Sequence, residues 1–257
     1  MAALLYGAVA GWCLAGIMWW IAFYRGKRLG FALGLGAELA GALLWLTALT
    51  FYGLKAGYWP MSTPGEFLLL TLGFAVLIHA AAEVKARIRG AGWITPVASA
   101  LLALWARDTL TSAPFPPPPA LNSIWFQLHT LTASAAYGAF LAAGATSLGA
   151  ILKPEQDPPG LAGEMALGYT ALTLSMLTGA LWGQFTWGSY WSWSLKEIWT
   201  LTLWLAATLY FHIRTLPRWR GRRTWLVVTL LAGIMFFSLM GTGWLARKLT
   251  LETLYIF

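Results

Sequence analysis

The chain has 257 residues, 59% hydrophobic and 10% charged, with a net charge of +8. A soluble domain carries about 25% charged residues, so the composition excludes one and implies an all-α integral membrane protein, a single polytopic bundle over 1–257. No alternation recurs at ten-residue spacing, which argues against a β-barrel, and the basic residues cluster in alternate loops instead of on an aromatic-interleaved face, which argues against nucleic acid.

A membrane helix needs about 20 mainly apolar residues. Eight spans are predicted: 2–24, 31–53, 66–84, 93–108, 124–152, 163–182, 197–214 and 224–244. The first begins at Ala2 with no basic region ahead of it and is long enough to span, so it reads as a helix and not a cleaved signal. Its Cys13 is the one cysteine; no intramolecular disulfide or Cys-x-x-Cys pair is possible, and a small packing residue is the expected role. The fourth span is short, and the fifth is long enough to project from the bilayer.

The positive-inside rule orients the set. One group of loops holds Arg25, Lys27, Arg28, Lys85, Arg87, Arg89, Lys153, Arg214, Arg218, Arg220, Arg222 and Arg223; the other holds Lys55, Arg107, Lys196, Arg247 and Lys248. The first group is expected in the cytoplasm of a bacterium, with the protein in its cytoplasmic membrane and both termini outside. Of the outer loops, Lys55–Glu66 turns at Pro60 and Pro64, and Asp108–Ser123 contains Pro114 and the stiff run Pro116–Pro119. The tail 245–257 carries a weak signal for an interfacial helix.

The stretch Trp182–Trp199 holds five of the 17 tryptophans, plus Phe185 and Tyr190, in a loop expected at the outer surface. An aromatic belt accounts for one or two Trp at a helix end, not for five in one loop. Flat side chains gathered this way suggest a platform for a large flat ligand. The three histidines, His79, His129 and His212, all fall in or beside predicted spans, where ionisable groups are costly. His129 lies near the outer end of its helix; His79 and His212 lie roughly 18 and 20 Å below the outer starts of theirs, at ~1.5 Å per residue. Haem iron takes imidazole on either face. Glu38, two turns inside the second span, either pairs with a histidine or an arginine or reaches toward the cytoplasmic boundary. Glu197 stands where a carboxylate meets free N–H groups at a helix start, a capping role as well supported as a catalytic one. Lys196 faces outward. There is no Ser-His-Asp set, phosphate-cradling loop or tetrahedral zinc spacing, and the 27 glycines are scattered through helices, where small residues allow close contact.

Trp187-Gly-Ser-Tyr-Trp-Ser-Trp193, Lys196-Glu197 and Tyr210-Phe-His-Ile-Arg214 resemble the WWD signature and following helix of the cytochrome c assembly superfamily, in its CcsA/ResC branch of system II. Pro119–Trp125 with His129 and Ala136-Tyr137, and Pro64-Gly-Glu66 through His79, resemble upstream segments of the same family, so the likeness covers residues 56–244, flanked by two N-terminal helices (1–55) and an outward tail (245–257). The resemblance implies transient, non-covalent binding of haem b at an outer platform and its presentation to apocytochrome c for thioether attachment, alongside a CcsB/ResB-type membrane subunit. The chain would then be one subunit of a holocytochrome c synthase (a haem lyase), with membrane lipids around it. By residue, His129 matches the outer axial ligand; Trp182, Trp187, Gly188, Tyr190, Trp191 and Trp193 match the platform; His212 matches the family's intramembrane histidine, and a second, inner site using His212 with His79 is a further expectation.

Two departures stand out. Ser194-Leu195 replaces the signature Asp-Pro, and Leu245 stands where a second outer histidine is expected. Met240 as a substitute ligand competes with the commoner role of a core methionine. The departures keep a second reading open, a HemX-like membrane regulator of haem biosynthesis without lyase activity. A third reading, a solute transporter gated by the Trp loop, predicts internal symmetry of which the sequence shows little.

Overall fold

In a bilayer every backbone polar group must be paired within its own segment, and among the described residues every regular element is helical. The computed structural model describes residues 2–25, 28–86, 92–111, 116–152, 158 and 160–248. Lys27, Arg87, Arg89, Pro114, Lys153 and the tail from Leu249 to Phe257, all used in the topology reading, lie outside the described residues.

The predicted spans appear as α1 (Ala2–Arg25), α2 (Arg28–Ala56), α3 (Pro64–Ala86), α4 (Ile94–Trp105), α6 (Ile124–Leu152), α7 (Leu161–Trp187), α8 (Leu195–Ile213) and α9 (Arg222–Phe236), with short helices α5 (Arg107–Thr111) and α10 (Thr242–Lys248). Among the described residues six helices have the length and apolarity to cross a membrane: α1, α2, α3, α6, α7 and the continuous run Arg222–Leu245. The other two expected spans differ for separate reasons. The 12 residues of α4 reach about 18 Å against a hydrocarbon core of about 30 Å, and α5 follows it directly after a break at Ala106. The 19 residues of α8 are long enough, but Lys196, Glu197, Thr200, Thr202 and Thr208 make it too polar to qualify.

Helix α6 is the hub, packed against α7, α3, α9 and α4. Its buried face is mainly Ala, Gly, Ser and Thr, which lets neighbouring backbones approach closely. At Gly138 a Cβ would lie 2.7 Å from Ala75 N and from Phe74 Cβ, so the α3–α6 crossing depends on a missing side chain. One apolar core, with Trp12, Trp45 and Leu72, joins α1–α4; another, with Phe140, Met165 and Leu203, joins α6–α9. The last long helix is interrupted by a π turn, Phe237–Gly241. There Ser238 Oγ and Tyr137 OH are hydrogen-bonded at 2.9 Å, and Phe237 meets Trp199 at 4.5 Å between ring centroids.

Candidate functional site

His129 sits on the second turn of α6, facing α7. Its Nδ1–H donates to the Ser175 carbonyl at 2.9 Å, and Ser175 Oγ lies 3.1 Å from the same nitrogen. A backbone carbonyl accepts but cannot donate, so this bond selects the tautomer with the proton on Nδ1 and leaves the lone pair on Nε2. That is the arrangement a metal-ligating histidine needs. Gly179, one turn beyond Ser175, makes room for the ring: a Cβ there would lie 2.6 Å from His129 Nδ1. Trp182 lies nearly parallel to the imidazole, 11° between planes and 6.1 Å between centroids. Its indole N–H donates to the Ala120 carbonyl at 2.9 Å, tying α7 to the end of the proline run.

Helix α7 runs on to Trp187, and beyond it the chain leaves the helix and exposes its aromatic rings. Gly188 ends α7 at φ +74, with its N–H bonded to Gln184 O, a left-handed turn that favours glycine. Trp187 stands edge-on to Trp182 with centroids 6.4 Å apart, and Trp191 meets Trp193 in the same manner at 5.8 Å. Trp187, Tyr190 and Trp193 are 59%, 59% and 67% exposed. What sets these rings apart from singly exposed aromatics is that they are clustered within seven residues. Trp193 also holds φ +58, the one non-glycine residue in the left-handed region among those described. The cause is Glu197: its carboxylate accepts from Ser192 N at 3.0 Å, Ser192 Oγ at 2.8 Å and Ser194 N at 2.8 Å. Bonds to the N–H groups on either side of Trp193 force the tight turn and push its indole outward. Ser194 Oγ accepts from Glu197 N at 3.2 Å, completing a capping box at the start of α8.

The inner histidines are separate from each other. His79 on α3 is buried, with Nδ1–H donating to Glu38 Oε1 at 2.7 Å and Nε2 3.5 Å from Glu83 Oε1. Trp19 Nε1–H donates to the second Glu38 oxygen at 3.0 Å. Glu38 thus pairs with a histidine, one of the two roles read from the sequence. Both ring nitrogens of His79 face carboxylates, and the Glu83 oxygens accept no hydrogen bond from the described residues. His212 on α8 is exposed, and its Nδ1–H donates to the Thr208 carbonyl at 2.8 Å, leaving the lone pair on Nε2. The main neighbours of α3 are α6, α4 and α2, whereas those of α8 are α9 and α7.

The structure therefore gathers His129 and Trp182 at one point, with Trp187 against Trp182 and Gly188, Tyr190, Trp191 and Trp193 on the adjoining loop. Leu245 lies on α10, which packs against α8, and is half-buried. Met240 is packed against the α1–α4 core. Sequence reading missed Ser175 and Gly179. Neither belongs to a motif, and only a helix-to-helix contact reveals that both face His129.

The cytochrome c assembly protein family matches this sequence over residues 2–250. The chain is 26% identical to the cytochrome c biogenesis protein CcsA of a Synechococcus strain, over 86% of this chain and 84% of that protein. It is likewise 26% identical to the CcsA of Gloeobacter violaceus, over 94% and 93% of the two chains. Among solved structures it superposes on the cytochrome c haem lyase CcmF with a TM-score of 0.66 at 17% identity, covering 97% of this chain and 49% of that one. The likeness to CcmF is one of fold, and the present chain spans about half its length.

Proposed function

This chain belongs to the cytochrome c assembly protein family, and from that premise we propose that it binds haem b transiently at the His129–Trp182 corner and presents it to apocytochrome c, acting with a CcsB/ResB-type membrane subunit. The observation that carries the reading is the His129 tautomer: Nδ1–H is committed to Ser175 O, so Nε2 beside a parallel indole would be the atom to hold the haem iron. Bound haem would supply an iron centre to be ligated and vinyl groups that accept thiols.

The chain's own residues bind, orient and dry the site. His129 Nε2 would hold the haem iron. Ser175 and Gly179 hold the ring so that Nε2 cannot swing away. Trp182, Trp187 and Trp191 offer flat apolar surface that excludes water, and Gly188, Tyr190 and Trp193 set the outward edge. The reacting thiols come from the apocytochrome, so the protein contributes position more than acid–base chemistry. His212, with its lone pair on Nε2, is the residue available for an inner site.

The test is an absorption spectrum of the membrane-purified protein, oxidised and reduced, with pyridine haemochrome typing. His129→Ala is expected to abolish the b-type signal or shift its reduced bands; an unchanged spectrum removes the outer site. One observation favours the regulatory reading: Leu245 provides no second axial nitrogen. Complementation of a strain lacking CcsA discriminates, because restored covalent cytochromes exclude a purely regulatory role.

A further inference from the structure

At the end of α8 opposite the Trp-rich loop, the chain reads Arg214-Thr-Leu-Pro-Arg-Trp-Arg-Gly-Arg-Arg223, five arginines in ten positions. No acidic residue occurs anywhere between Glu197 and Glu252. Among the described residues no carboxylate lies within ion-pair distance of Arg214, Arg218, Arg220, Arg222 or Arg223. The positive charge of this corner is therefore not balanced by the described part of the chain.

The local fold shapes that charge into a groove. A turn at Pro217–Trp219 and a positive φ at Gly221 reverse the chain between α8 and α9. Arg223 Nη1–H donates to the Arg218 carbonyl at 2.9 Å, which pins one guanidinium to the turn. A guanidinium has five N–H donors, so most remain for another acceptor. Arg218, Trp219 and Arg223 line one end of a groove of about 510 Å³, and Leu226, Val227 and Leu230 continue it down α9. Leu230, 68% exposed, lies on a helix apolar enough to cross the membrane. The distance from Arg223 to Leu230 along the axis is about 10 Å at 1.5 Å per residue.

We propose that this groove binds an anionic phospholipid, with its phosphate on Arg218 and Arg223, its glycerol region against Trp219, and the first part of an acyl chain along Leu226, Val227 and Leu230. Two guanidiniums suit the phosphate geometry, and indole favours the headgroup level. The apolar floor is what selects a lipid: a free phosphate has no use for it, and a water-soluble acidic segment would have to cover a helix face suited to hydrocarbon. Basic pockets at helix ends on the cytoplasmic side are physically matched to such lipids.

The test uses the full-length protein in bilayer discs of phosphatidylcholine containing a minority of phosphatidylglycerol, followed by extraction and native mass spectrometry of retained lipid. The wild type is expected to retain phosphatidylglycerol with a preference on the order of tenfold over phosphatidylcholine. Arg218→Gln with Arg223→Gln is expected to remove the preference, and Leu230→Ser to weaken it. Arg220→Gln with Arg222→Gln removes the same charge from the same corner outside the groove and is expected to leave retention intact. Equal loss in both double variants would mean a diffuse field and overturn the site. Full displacement of the lipid by inorganic phosphate or by haem would assign the groove to a different anion and overturn it as well. The readout involves no haem at the His129 corner, so its failure is distinguishable from failure of the haem reading.

Discussion

Ser194 occupies the position where the WWD signature has aspartate, and its structural role explains why a serine serves there. The side chain accepts from Glu197 N at 3.2 Å as the N-cap of α8, and Ser and Asp are about equally good caps. Ser194→Asp is therefore expected to change stability by a few tenths of a kcal/mol, whereas Ser194→Ala is expected to cost about 1 kcal/mol, measured by thermal unfolding of the purified protein. The neighbouring Trp193 pays roughly 1–2 kcal/mol for its left-handed backbone, offset by the bonds that Glu197 makes on either side of it. Leu245 has no such compensation. A leucine offers no lone pair, so on the proposed haem reading this position would contribute no ligand.

At the scale of elements, the site depends on α6 and α7 meeting at one height. The i, i+4 pair Ser175 and Gly179 puts an acceptor and an opening on the same face of α7, where His129 needs both. Gly179→Ala would place a methyl 2.6 Å from Nδ1 and is expected to cost about 1–3 kcal/mol by overpacking. It should also break the bond to Ser175 and weaken haem retention, read as a lower haem-to-protein absorbance ratio than in a Gly163→Ala control, where a Cβ meets nothing within 4 Å. The eight helices were legible in the sequence because apolar length has a direct physical meaning in a bilayer. The rank of α4 and α8 below the six full spans was less legible, because a 12-residue helix and a threonine-bearing one are held by neighbours as much as by lipid. The π turn at Phe237–Gly241 carries no composition signal at all.

For the whole molecule, the proposed orientation places the Trp-rich loop outside and the arginine corner in the cytoplasm. In a Cys13→Ser background, Asn122→Cys is expected to react with a membrane-impermeant maleimide in intact cells, and Leu216→Cys only after permeabilisation. Both positions are exposed, and the reverse pattern would invert the topology. By itself the sequence determined the class, the approximate helix positions and the aromatic cluster, since these rest on local composition and on residues close together in the chain; the expected five-Trp loop is in fact shorter, with Trp182 and Trp187 at the end of α7 and Trp199 inside α8. It also put His129 at the same end of the bundle as that loop, through the predicted topology, and the family resemblance tied the two together. Only the tertiary structure decided which tautomer His129 holds, that Glu197 strains and exposes Trp193, and that His79 is enclosed by Glu38 and Glu83 on helices distant from His212. The His129–Ser175 and His79–Glu38 contacts join helices far apart in sequence, whereas the turn that Glu197 imposes on Trp193 and the His79–Glu83 approach are local contacts whose geometry needs the folded backbone.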